Sequence, residues 1–160
     1  MSYHLRIVLY RPQAPENVGL ILRTAKSLGA KEVIAFVNPE WLRNPKIHKR
    51  IKQVSTGVGN DLLTLRPQEE FEKFLETHKD HLIAIEKTEG IESLPITDIH
   101  HHLTHLSEIN LLFGNEGRGI PKKYLKDLKV FHIPYDYPNS LNLSHSVAIT
   151  LWELYRSNLP

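Results

Sequence analysis

Apolar residues fall into two rhythms along the chain. Five short, nearly unbroken runs, Leu5–Tyr10, Glu32–Val37, Leu82–Glu86, Ile109–Gly114 and Val130–Pro134, are rich in Ile, Val, Leu and Phe and bounded by turn residues. That is the pattern of strands buried on both faces. Between them the spacing changes to the 3.6-residue period of a helix. Val18, Ile21, Leu22, Ala25 and Leu28 form the clearest such stripe, with Pro15 near its start and Gly29 just past its end, the asymmetry a helix prefers. Residues 67–77 read as a polar helix whose inward stripe is Phe71, Phe74 and Leu75, and a last helix is predicted from about Ser144 to Ser157. Strands alternating with helices predict an α/β fold, a parallel sheet with helices on both faces. No repeat, low-complexity tract or linker interrupts the sequence, so one domain over residues 1–160 is expected. Ligands of such sheets bind beyond the carboxyl ends of the strands, where the unusual residues of this chain fall.

Composition narrows the chemistry mainly by what it lacks. There is no cysteine, which excludes disulfides, thiolate metal sites and a cysteine nucleophile. No apolar run approaches the roughly 20 residues of a membrane span, and the opening Met1-Ser2-Tyr3-His4-Leu5-Arg6 has no signal-peptide pattern. A cytoplasmic protein without membrane contact is expected. The net charge of +2 announces no partner, but its distribution does. Arg43, Lys46, Lys49, Arg50 and Lys52 occur in one stretch without an acid, and Arg118, Lys122, Lys123, Lys126 and Lys129 in another with only Asp127 against them. Such clusters suit a phosphate backbone, or are solvated faces. His100, His101, His102 and His105 also cluster, but Asp98 is the only carboxylate beside them, and no metal is expected.

Three segments carry candidate chemistry. The first, Pro12 to Arg23, leaves the first strand and opens a helix, whose amino end offers unpaired N–H groups. Asn17 lies in its first turn. Gly19 and Arg23, four residues apart, share a face, and Gly19 is expected to clear space beside Arg23 for a ligand or a second chain. The second segment, Phe113-Gly114-Asn115-Glu116-Gly117-Arg118-Gly119-Ile120, runs from a buried strand into a loop with three glycines in six residues. Glycine permits close backbone approach, yet the loop matches neither a P-loop nor a dinucleotide fingerprint. In the third, Ser140-Leu141-Asn142-Leu143-Ser144 enters the last helix. Asn142 or Ser144 can cap that helix, and the alternation suggests an extended stretch with polar groups on one side and leucines on the other. An unrelated nucleotide-binding α/β enzyme would need a phosphate loop after the first strand, which Pro12 to Gly19 does not provide.

In this order the three segments resemble the signature motifs of the SPOUT superfamily, SpoU branch, which are RNA ribose 2′-O-methyltransferases. Pro15-Glu16-Asn17-Val18-Gly19 with Arg23 is similar to the first motif, the glycine loop to the second, and Ile133-Pro134 with Ser140 to Ser144 to the third. The resemblance implies a deep C-terminal trefoil knot and S-adenosyl-L-methionine (AdoMet) as cofactor, with Ile85, Gly114, Ile133, Ser140 and Leu141 lining its pocket. It implies a homodimer packed through the first and last helices, with RNA as substrate. It casts Arg23 as the group that activates the 2′-hydroxyl, with Asn17, Glu116, Ser140 and Asn142 orienting it and the nucleotide. A guanidinium holds its proton too firmly to be a good base, so Arg23 is expected to hold the adjacent phosphate and polarise the oxygen. Arg43, Lys46, Lys49, Arg50, Arg118 and Lys122 are the expected RNA contacts. The opening of the chain is most similar to small members that modify the tRNA wobble ribose, which favours tRNA over ribosomal RNA. The middle departs from them: Lys52-Gln53-Val54-Ser55-Thr56-Gly57-Val58-Gly59 stands where they carry an Arg-Ala-Gly-Leu-Asp-Tyr-like stretch. Position 32 of tRNA and a ribosomal ribose therefore stay open as targets, as does a non-catalytic, knotted RNA-binding module.

Overall fold

The computed structural model describes residues 3–136 and 139–158. Its strands, in chain order, are β1 (His4–Tyr10), β2 (Glu32–Val37), β3 (Leu63–Pro67), β4 (Leu82–Ile85), β5 (Leu94–Pro95), β6 (Glu108–Phe113) and β7 (Lys129–His132). The helices are α1 (Pro15–Ser27), α2 (Pro39–Arg43), α3 (Pro45–Ser55), α4 (Phe71–His78), α5 (Lys122–Leu125) and α6 (Leu143–Arg156). The strands pair in the order β3-β2-β1-β6-β4-β7-β5, all parallel. All five apolar runs are strands. β3 and β5 lie at the sheet edges, where one side needs no partner. β3 therefore tolerates Thr64, Arg66 and Pro67 and lacks the apolar run that marks a central strand. β5 is only two residues long.

Alternation along the strands splits the core in two. Leu5, Ile7 and Leu9 face α1, α3 and α6, packing with Val18, Ile51 and Val147. Val8, Ile34 and Phe36 face the other way, onto Phe71 and Phe74 of α4 and Leu125 of α5. Helices α2 and α3 carried no long apolar stripe, but their starts are Asn-Pro pairs. The Asn38 and Asn44 side chains accept from the backbone N–H groups of Trp41 (3.2 Å) and Lys46 (3.0 Å), with proline following at the first helical position.

Gly19 has a different role from the expected one. A Cβ there would lie 2.8 Å from the Ile51 carbonyl oxygen and 2.8 Å from Val54 Cβ. The space it clears is filled by α3 of the same chain. Gly19→Ala should force α1 and α3 apart and cost about 1–3 kcal/mol; a thermal melt unchanged from wild type would contradict this packing.

At the amino ends of the strands Arg6 closes a polar network. Its guanidinium donates to Glu32 (2.6 Å), Glu108 (2.8 Å) and the fully buried Asn110 (2.6 Å). Removing one partner of such a partly buried set leaves the others unsatisfied, so Arg6→Met should destabilise the fold by about 2–4 kcal/mol. Hydrogen bonds from Asn110 and then Arg6 hold the Glu108 carboxyl below its ordinary 4.5. Its contribution is thus present above that value and lost as pH falls through the lowered one. Acid melts should show Glu108→Gln losing less stability than wild type in that range.

Candidate active site

β1, β6, β4 and β7 are neighbours in the sheet, so the loops leaving their carboxyl ends converge. Those after β4, β6 and β7 enclose a cleft of about 260 Å³. That is small-molecule size rather than the span of a nucleic-acid groove. Ile85, Gly114, Ile133, Ser140 and Leu141 all line it. Arg118 does too, at the exposed tip of the glycine loop.

The loop after β6 folds back on itself. A Cβ on Gly114 would overlap the backbone of Gly119 and Ile120, and the Gly119 N–H donates to the Asn115 carbonyl (3.0 Å). Asn115 Oδ1 accepts from the N–H groups of Gly117 (2.9 Å) and Arg118 (2.7 Å). Two carboxylates anchor this hairpin. At its tip, Glu116 accepts from the N–H groups of Gln13 (2.8 Å) and Ala14 (3.2 Å) and from Asn17 Nδ2 (2.7 Å). Ala14, the residue capping α1, has no side-chain oxygen of its own. Glu116 supplies the missing acceptor and puts a negative charge at the helix amino end. This bond joins the first and second segments, and Asn17 and Glu116 form one unit.

The third segment is divided differently from the expected alternation. Asn142 caps α6, accepting from the Ser144 N–H (2.8 Å) and hydroxyl (2.7 Å). Ser144 is buried beneath the exposed Asn142, while Ser140, Leu141 and Leu143, the first residue of the helix, line the cleft. Both leucines thus face the cleft, and the departure from a strict alternation is that Ser140 joins them while Asn142 and Ser144 serve the start of the helix. Asn142 is not among the cleft residues. Tyr137 and Pro138, within this segment, lie outside the described residues. His145 is exposed in the first turn of α6.

Arg23 is exposed on α1 and does not line the cleft. One turn earlier, Leu20 is 42% exposed, and α6, which packs on α1, exposes Ile149 (39%) and Trp152 (51%). Arg43, Lys46 and Lys49 are exposed on α2 and α3. Arg50 beside them pairs with Glu16 of α1 (2.7 Å), and Lys122 is exposed at the start of α5. The histidines serve separate contacts: His100 lies 3.4 Å from Glu153, and His102 Nδ1 2.9 Å from Lys129 Nζ.

Sequence reasoning missed the polar cleft residues Glu86, Lys87, Thr88, Tyr135 and Ser146. Glu86 counted only as the end of a strand. The available signal was an acid directly after four buried residues at a carboxyl end, where a charge is costly unless used. Burial pushes its carboxyl above the ordinary range, although the N–H groups of Ile120 and Lys87 pull it down. No helix among the described residues is long and apolar enough to cross a membrane.

The family model described as the SpoU rRNA Methylase family matches residues 4–152. A tRNA (cytidine(34)-2′-O)-methyltransferase of Aeromonas hydrophila is 28% identical over 157 residues, 95% of this chain and 93% of that protein. Its counterpart in Escherichia coli is 26% identical over 95% of this chain and 92% of its own. A structure described as giving insights into the 2-OH methylation of C/U34 on tRNA is 28% identical with a TM-score of 0.71, covering 98% of this chain and 97% of that one. The AdoMet-bound rRNA methyltransferase of Sinorhizobium meliloti, at 23% identity and a TM-score of 0.77, shares the fold. This chain spans 59% of its length.

Proposed function

The chain belongs to the SpoU rRNA Methylase family, and on that premise we propose that it is an AdoMet-dependent enzyme methylating the ribose 2′-oxygen of RNA, with tRNA the RNA and the anticodon-loop wobble nucleotide the target. The observation that carries this reading is the gathering of Ile85, Gly114, Ile133, Ser140 and Leu141, from three separate loops, around one small cleft. The choice of tRNA follows the relatives named for cytidine 34, which align over nearly their whole length. The cytoplasm is the proposed place of action.

The cleft suits the cofactor. Ile85, Ile133 and Leu141 offer apolar surface to a purine, the backbone of the glycine loop offers polar groups, and the Glu86 carboxylate faces a ligand that carries positive charge. Bound there, AdoMet would supply an electrophilic methyl group to the 2′-oxygen, and the adjacent phosphate or water would take the hydroxyl proton. The protein's share is positioning, because in-line transfer between oriented partners needs little else. Arg23 holds the phosphate beside the target ribose through parallel N–H bonds and polarises the 2′-oxygen. Asn17 and Glu116 keep the start of α1 fixed on the glycine loop, Asn142 fixes the start of α6, and Ser140 meets the nucleotide from the cleft. No metal enters this scheme. The proposal includes a deep trefoil knot formed as α6 passes through a loop.

Arg23 stands outside its own cleft, so the reading is completed by a homodimer. Leu20, Ile149 and Trp152 make an apolar face across α1 and α6, which a second copy covers. Arg23 of one protomer then serves the cleft of its partner. Arg43, Lys46, Lys49, Arg118 and Lys122 line the RNA path, while Arg50 is already engaged by Glu16. Lys46→Glu with Lys49→Glu should weaken RNA binding and lower the slope of log K against log salt by about 1.4–1.8, at roughly 0.7–0.9 per lost phosphate contact. An unchanged slope would remove α3 from the interface.

The deciding experiment is methyl transfer from labelled AdoMet into unmodified total tRNA and, in parallel, ribosomal RNA, with mapping of 2′-O-methyl sites. Label at the wobble ribose is expected. Label confined to another tRNA ribose or to ribosomal RNA would keep the chemistry and overturn the substrate. No label with AdoMet bound would point to a missing partner or another acceptor, and no AdoMet binding at all would leave a non-catalytic RNA-binding module.

A further inference from the structure

β4 ends in four buried residues and delivers Glu86 straight into the cleft. Its carboxylate accepts from the Ile120 N–H (2.9 Å) and from the Lys87 N–H (3.0 Å). Gly119, at φ +64°, presses its backbone so closely on this carboxylate that a Cβ would overlap it. Glu86 thus braces the neck of the glycine hairpin, as Glu116 braces its tip. Bracing the hairpin does not by itself require a charge, because a neutral amide would still offer an oxygen to the Ile120 N–H without the desolvation cost.

Among the described residues the charge has no cationic partner. None of the ion pairs among the described residues includes Glu86. Lys87, next to it, instead places its ammonium over the ring of Tyr135, 5.0 Å from the centroid. A partly desolvated carboxylate without a cation, lining a ligand cleft, is a site that a positive ligand relieves.

We propose that Glu86 is the anionic subsite of the cleft, pairing with the sulfonium charge of the bound methyl donor and so favouring the cationic cofactor over its neutral-sulfur product. The proposal rests on the methyltransferase reading above. The sulfonium is charged at every pH, and methyl transfer leaves sulfur as an uncharged thioether. The attraction therefore exists before the reaction and vanishes with it, which helps the product leave.

The test is calorimetric titration of wild type and Glu86→Gln with AdoMet and with S-adenosylhomocysteine. Gln keeps the size and an acceptor for the Ile120 N–H. AdoMet affinity should fall about tenfold while S-adenosylhomocysteine affinity stays within about twofold, the scale of one screened charge pair. Equal losses for both ligands would make Glu86 a brace, or a partner of the amino group both ligands share, and would overturn the proposal; so would no change in either. Should Glu86→Gln not fold, Glu86→Asp replaces it. That variant keeps the charge, so the wild-type preference for AdoMet must survive in it, and its loss would overturn the proposal. Wild type binding neither ligand would defeat the methyltransferase reading and Glu86 with it, whereas wild type binding both with an unaltered ratio in the Gln variant would defeat Glu86 alone.

Discussion

Arg23→Ala should lower kcat/KM for RNA methylation by about 10²–10³-fold, the usual loss when one charged group stabilising the reacting oxygen is removed. AdoMet affinity should stay within about twofold, because Arg23 does not line the cleft. Arg23→Lys should restore little, since an ammonium cannot hold a phosphate through two parallel N–H bonds. Near-normal activity in that variant would show that only the charge matters. A second arm addresses the dimer. Mixing Arg23→Ala with a cleft-defective variant under conditions of subunit exchange should regain about a quarter of wild-type activity, because half the dimers then carry one intact composite site. A mixture as inactive as its components would place Arg23 and the cleft it serves in the same protomer.

Gly114→Ala should abolish detectable AdoMet binding, a loss of more than about 100-fold, because a Cβ there has only backbone to displace. The overlapping atoms belong to Gly119 and Ile120, the neck that Glu86 braces, so the hairpin must open and take the cleft wall with it. The overlap is confined to the hairpin, which touches one core cluster only through Ile120. Far-UV dichroism should therefore remain that of wild type, while stabilisation of the melt by AdoMet disappears. A variant that still melts higher with AdoMet would show that the cofactor does not depend on this wall. Gly114→Ala is also the cleft-defective partner for the mixing experiment.

Much of this architecture was legible because it is local. An apolar run with turn residues at both ends reports burial on two faces, and all five such runs are strands of the parallel sheet. The stripe Val18-Ile21-Leu22-Ala25 reports one buried helix face, and those four residues are fully buried. Helices α2 and α3 were also written locally, in Asn38-Pro39 and Asn44-Pro45, but in caps rather than in a stripe. β3 escaped because an edge strand needs neither a continuous apolar run nor a proline-free one.

What the sequence determined alone is the five inner strands and the helices marked by an apolar stripe, together with the loops rich in glycine and polar residues that follow them, since period and turn chemistry act over a few neighbouring residues. Tertiary structure decided everything that depends on pairing distant segments. It inserted β6 between β1 and β4, bringing the glycine loop against both the start of α1 and the end of β4. It gave Gly19 to α3 rather than to a ligand, and it made Asn142 the cap so that Ser140 was left for the cleft. It also turned Glu86, a strand-ending residue by pattern, into a carboxylate that braces the glycine loop and faces the site. A residue's burial and partners come from chain segments up to a hundred positions away, and no local period carries that information.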